Sequence, residues 1–152
     1  MKLISHRGNI NGPNNTLENN PEVILERIFE GYDVEIDVWY NDNRWFLGHD
    51  NPEYLVDSEF LLNENLWCHA KNFRALENML AIGAHCFWHE TDKFTLTSKG
   101  YIWTYPNNKL SSNSVCVLLE PKLAHNFNKN VFGICTDYVK DVEKILGASN
   151  EF

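Results

Sequence analysis

At 152 residues, with 43% apolar residues, the chain suits a single domain over residues 1–152, able to bury roughly two-thirds of the surface its unfolded form exposes. A formal charge of −8 with no basic block excludes a nucleic-acid backbone as partner, because like charges repel. No apolar run approaches ~20 residues, so no membrane-spanning helix is expected; Met1-Lys2-Leu3-Ile4-Ser5-His6 lacks the form of a signal peptide, so the cytoplasm is the expected compartment.

Leu3-Ile4 reads as a short apolar strand ending at His6, and residues 9–20, rich in Asn, Gly and Pro, as a loop. Pro21 opens a helix with Val23, Ile24, Ile28 and Phe29 on one face, stopped by Gly31. A strand over 33–40, a turn at Asn41-Asp42-Asn43 and a strand over 44–48 read as a hairpin or a sharp strand extension. Residues 57–62 suit a short helical turn. A strand over 66–70 precedes a helix capped by Asn72 and ended by Gly83. Further strands are expected over 85–89, 95–98, 101–104, 115–119 and 133–136, then a closing helix over 139–146.

Strand followed by helix, repeated, predicts α/β with mostly parallel strands. The stretch from Glu90 to Pro121 carries little helical periodicity, and a full eight-fold barrel takes ~250 residues. The expected architecture is therefore a compact, trimmed (β/α) barrel with some outer helices missing. Cys68, Cys86, Cys116 and Cys135 each fall inside a predicted strand with no C-x-x-C spacing, which reads as buried free thiols.

Four short strings carry chemistry: His6-Arg7-Gly8, Glu18-Asn19, Glu35-Ile36-Asp37 and Gly48-His49-Asp50. Glu35 and Asp37, two apart on a strand, point the same way. Apolar Val34, Ile36 and Val38 take the outer face, which turns both acids inward. Two close, buried carboxylates repel unless a cation lies between them, and a hard divalent ion with oxygen ligands satisfies that need. His6 and His49 each end a strand, where a pair of imidazoles can supply one base and one acid. Arg7 suits phosphate oxygens, and Asp50 either orients His49 or caps a turn before Pro52. His69 and Lys71 share a strand face; His69 is a metal ligand or a buried hydrogen-bonding group, and Lys71 binds phosphate or neutralises the acids. Glu90 or Asp92 is an alternative completion of the metal shell. His85 and His125 read as surface residues, and Asp137 as a cap for the closing helix. Trp103 and Tyr105 are candidates for the cleft wall, with core packing the fate of at least one.

The order of these strings resembles the glycerophosphodiester phosphodiesterase family, within the phospholipase C-like phosphodiesterases, whose pattern runs H-R-G, E-N-T, E-x-D and H-D, with a strand-ending T-D matched by Thr136-Asp137. The likeness runs from Leu3 to about Leu146. It implies a barrel of the triosephosphate isomerase type and metal-dependent hydrolysis of a small phosphodiester. It implies that Glu35 and Asp37 bind Mg²⁺ or Ca²⁺, that His6 and His49 share acid–base work, and that Arg7 and Lys71 hold the phosphate. Glu18, Asn19 and Trp103 fall on the substrate side. The departures are His69-Ala70-Lys71, where the family has E-x-K, Asn20 in place of the threonine, and the absence of a long insertion. An imidazole in a carboxylate's position makes Mn²⁺ or Zn²⁺ alternatives. The rival expectation is a binding protein that holds metal and phosphodiester with little or no turnover. A further possibility is pairing between subunits through the strands of residues 95–119.

Overall fold

The computed structural model describes residues 1–126 and 130–148. In chain order they form β1 (Lys2–His6), α1 (Pro21–Phe29), β2 (Asp33–Asn41), β3 (Arg44–Leu47), β4 (Tyr54–Val56), α2 (Ser58–Leu61), β5 (Leu66–Ala70) and α3 (Phe73–Ile82). Then follow β6 (Cys86–Phe87), β7 (Phe94–Leu96), β8 (Ile102–Thr104), β9 (Ser114–Val117), a 3₁₀ turn (Pro121–Asn126), β10 (Gly133–Thr136) and α4 (Val139–Ala148).

Local chemistry sets the element ends. The Asn20 side chain accepts from the amide of Glu22, Pro21 takes the first helical turn, and Gly31 at φ 96° ends α1. Asn20, the departure from E-N-T, is therefore a helix cap. Asn72 caps α3 by accepting from Ala75 N at 2.8 Å. Asp42 and Asn43, both at positive φ, make the tight turn from β2 into β3.

β1 lies between β10 and β2, parallel to both. Parallel pairing continues from β2 to β5 and β6, and from β10 to β9 and β8. β3 and β4 extend β2 antiparallel, and β7 pairs antiparallel with β8. This is not the expected trimmed (β/α) barrel. The sheet is mixed and open, with no pairing between β6 and β8, and only 26% of the chain is helical. The half-barrel is strand-dominated for two local reasons. β6 is two residues long, and Ser98 takes the main-chain groups of Cys86: Ser98 N donates to Cys86 O at 2.8 Å, and Ser98 Oγ accepts from Cys86 N at 3.0 Å. Residues 105–113 are dominated by Pro, Asn and Ser, which favour turns over an outer helix. No helix among the described residues is long and apolar enough to cross a membrane.

Period-two alternation splits the apolar residues into two main layers. Val34, Ile36 and Val38 face outward against Ile24 of α1 and Ala75 and Met79 of α3. Inside the sheet, Ile4, Trp67, Phe87, Trp103, Val115 and Cys135 form a plug. Each large aliphatic or aromatic side chain so buried contributes about 1.5–3 kcal/mol. Two residues further along the same strands, or just past their ends, stand His6, His69, His89, Tyr105, Val117 and Asp137. The plug is thus the floor on which the polar groups sit. All four described cysteines are buried and free, as expected.

Candidate active site

Parallel register brings the chemistry together. His6 lies opposite Glu35 across β1 and β2, and Asp37 opposite His69 across β2 and β5. Past His6 the chain turns sharply, with Arg7 at φ 55° and Gly8 at φ 90°. A non-glycine residue at positive φ carries strain that the surroundings must hold. Here Arg7 N donates to Glu35 O at 2.9 Å, and Arg7 O accepts from Asn19 N at 3.0 Å.

A cavity of 420 Å³ opens at these strand ends, lined on its polar side by His6, Arg7, Glu35, His49, His69 and Lys71. Phe87, Trp103, Tyr105, Val117 and Leu119 form its apolar side, with His89 and Glu90 between. The cavity therefore gathers seven of the ten expected site residues, six polar ones and Trp103. Trp103 is largely a floor residue, its ring 4.6 Å from that of Phe87, whereas Tyr105 is exposed at the mouth.

Asp37 is fully buried behind the cavity. Its Oδ2 lies 2.9 Å from Arg7 Nε, and its Oδ1 3.2 Å from His69 Nδ1 and 3.6 Å from Lys71 Nζ. Glu18 and Asn19 do not line the cavity. Glu18 contacts Arg7 at 3.2 Å and accepts from Asn9 Nδ2 at 2.9 Å. Asn19, 1% exposed, grips Asp37 twice: its Nδ2 donates to Oδ2 at 3.0 Å and its Oδ1 accepts from the Asp37 amide at 2.9 Å. Both hold other site residues in place.

Each expected catalytic histidine has its own aspartate. His6 Nδ1 is 2.8 Å from Asp137 Oδ1, and His49 Nδ1 is 2.7 Å from Asp50 Oδ1. In both rings Nε2 is the nitrogen left for other work, and that of His6 lies 3.8 Å from Glu35 Oε2. Asp137 is thus not a helix cap; it also accepts from Asn9 Nδ2 at 2.8 Å, while Thr136 Oγ1 receives the Tyr138 amide. His49 sits on the rim, reached through Gly48 at φ 150°, where a Cβ would run into the carbonyl oxygen of Asn51.

The electrostatics follow from burial opposed by neighbours. Burial alone would lower the His6 pKa, but the Asp137 bond and the Glu35 charge raise it. His69 is raised in the same way by Asp37 and Glu35. Burial and the charge of Asp37 raise Glu35. Asp37 itself is pulled down, because His69, Arg7 and Asn19 outweigh its burial. Asp137 is lowered by the His6 bond against its own burial.

Glu35, Asp37 and His69 each offer one ligand atom within 4.8 Å of the others, the single such trio among the described residues. Glu35 Oε2 and Asp37 Oδ1 are buried and accept no hydrogen bond. Buried carboxylate oxygens without hydrogen bonds are costly; His6, His69 and Lys71 offset part of that cost from 3.2–3.8 Å, and the two acids with one imidazole are a donor set of the kind a divalent cation takes. Glu90 and Asp92 are not in this trio; the Asp92 carboxylate instead accepts from the Glu90 amide.

His85 is not a surface residue. It is buried beneath the plug, 2.9 Å from Thr97 Oγ1 and with its ring centroid 4.3 Å from that of Trp67. His125 is exposed. Asn9 and His89 escaped the sequence reading. Nothing in the string marks Asn9, whereas His89 could have been found as the residue two past Phe87 on an inward face. No family model matches the chain, and no curated protein or solved structure matches it either.

Proposed function

We propose that this protein is a metal-dependent hydrolase of small phosphodiesters of the glycerophosphodiester kind. The observation that carries the reading is the convergence at one cavity of two aspartate-paired histidines, two cationic side chains and a trio of metal-type donors, two of them buried.

Glu35, Asp37 and His69 would hold the divalent cation, which supplies Lewis acidity to a phosphate oxygen and to the attacking water or neighbouring hydroxyl. Arg7 and Lys71 present positive charge to the phosphate, where it counters the charge that grows during displacement. Asp137 and Asp50 fix the Nδ1 sides of His6 and His49, so proton transfer runs through the two Nε2 atoms. One ring takes a proton from the attacking oxygen; the other gives one to the leaving alkoxide. Asn19 and Glu18 act indirectly, by aiming Asp37 and Arg7. Trp103 closes the floor beneath the substrate. A net charge of −8 opposes nucleic-acid substrates, and four free thiols favour a reducing compartment such as the cytoplasm.

Turnover of glycerophosphocholine and of bis-nitrophenyl phosphate by wild type and His6→Ala tests the reading. The substitution should cost about 10²–10⁴ in rate. Undiminished hydrolysis by His6→Ala overturns it.

A further inference from the structure

The His69 imidazole is held on two sides, by the Phe87 ring and by a main-chain carbonyl. Its ring is stacked on Phe87, with centroids 5.3 Å apart and planes within 3°. Its Nε2 lies 2.9 Å from the main-chain carbonyl oxygen of His89. A carbonyl only accepts, so Nε2 carries the hydrogen and donates it. In the neutral ring the lone pair is then on Nδ1. That atom faces Asp37 Oδ1 at 3.2 Å and Glu35 Oε1 at 3.7 Å.

The acceptor is backbone, and it is placed by the fold. His69 pairs with Phe87 across β5 and β6, and the chain leaves β6 one residue later, which brings the carbonyl of residue 89 over the ring edge. An outer hydrogen bond of this type fixes which nitrogen of a ligating histidine meets a metal and raises its basicity. The carboxylates of Glu35 and Asp37, each with a ligand atom within 4.8 Å of one on His69, supply the other donors. The set is one nitrogen and two carboxylates, all on rigid strands.

We infer that this site is built for a nitrogen-accepting first-row cation of the Fe²⁺ to Zn²⁺ class, bound through His69 Nδ1, in preference to Mg²⁺ or Ca²⁺. Mg²⁺ and Ca²⁺ take oxygen donors almost exclusively, whereas imidazole suits the later metals. The inference rests on the proposed metal-binding reading, yet its test needs no substrate. Hydrolysis can fail while metal binding of this type stands, and the reverse also holds.

Zn²⁺ and Mg²⁺ are titrated calorimetrically into the wild-type protein and into His69→Glu. The wild type should bind Zn²⁺ at least about 100-fold more tightly than Mg²⁺. Any site of mixed donors favours Zn²⁺ somewhat, so the decisive quantity is the change in that ratio: it should fall about tenfold or more in His69→Glu. Long-range ¹H–¹⁵N spectra of the wild type give an answer that does not depend on how the variant folds. Saturating Zn²⁺ should move the His69 Nδ1 signal strongly and leave Nε2 protonated. An unmoved Nδ1 signal, or the same Zn²⁺ to Mg²⁺ ratio in a folded His69→Glu, overturns the inference.

Discussion

Asp137 holds His6 across 131 residues of chain, its Oδ1 2.8 Å from Nδ1. The contact exists because β1 and β10 lie side by side in parallel, with Ser5 opposite Thr136, so the next residue of each chain, His6 and Asp137, emerges beside the other. The aspartate both orients the ring and raises its pKa against the opposing effect of burial.

Asp137→Asn keeps the shape and removes the charge. Its expected result is a loss of about 10²–10⁴ in kcat. The limb of the pH–rate profile that reports His6 should also move to lower pH, whether His6 serves as acid or as base, because the ring loses the anion that favours its protonated form. A change that is merely structural would lower the rate without displacing that limb.

Asn19 offers a test of how the acid pair is held. Its two hydrogen bonds to Asp37 are buried, and its backbone stands at φ 59°. Asn19→Ala leaves the Asp37 amide unpaired, removes one of the two partners of Asp37 Oδ2, and puts alanine at a positive φ that asparagine tolerates better, for an expected loss of about 2–4 kcal/mol in urea unfolding. Asn19→Gly removes the same bonds without the strain, so it should be less damaging by roughly 1 kcal/mol. Equal losses would show that the left-handed conformation costs nothing here.

The acids, imidazoles and their strand-end placement could be read from the chain because each depends on local signals. Val34, Ile36 and Val38 alternate with Glu35 and Asp37, and one buried face forces the other inward. Pro21, Gly31, Asn72 and Gly83 mark helix ends by their own chemistry. What could not be read depends on pairing at a distance. Asp137 looks like a cap until β10 is set against β1, and His85 looks exposed until Trp67 and Thr97 close over it. The barrel failed for the same reason. Repeated strands suggest closure, but whether β6 meets β8 is decided by Ser98 occupying the edge of Cys86, a contact between residues 12 apart that no periodicity announces. β4 was missed because Tyr54-Leu55-Val56 follows directly on Asn51-Pro52, which reads as a turn, and pairs only with the hairpin strand β3.

His85 gives the fold a pH dependence of known sign. Burial first, then the nearby Lys99 charge, lowers its pKa to about 4, against about 6.5 when unfolded. The unfolded chain therefore binds the proton more readily between those values. The stabilising contribution is complete above pH 6.5 and is lost as pH falls toward 4, by on the order of 2–3 kcal/mol for this one group. His85→Gln removes the titration. The difference in unfolding free energy between wild type and variant should shrink or reverse between pH 7 and pH 4.5, because only the wild type loses this contribution. A difference that stays constant over that range would mean that His85 titrates alike in both states.

The most direct test of the account is hydrolysis of bis-nitrophenyl phosphate by protein stripped with EDTA and then reloaded with Mn²⁺ or Zn²⁺, beside the double variant Glu35→Gln, Asp37→Asn. Turnover should vanish on chelation, return on reloading and stay absent in the double variant. Full activity in the stripped protein, or none after reloading with either ion, would contradict it.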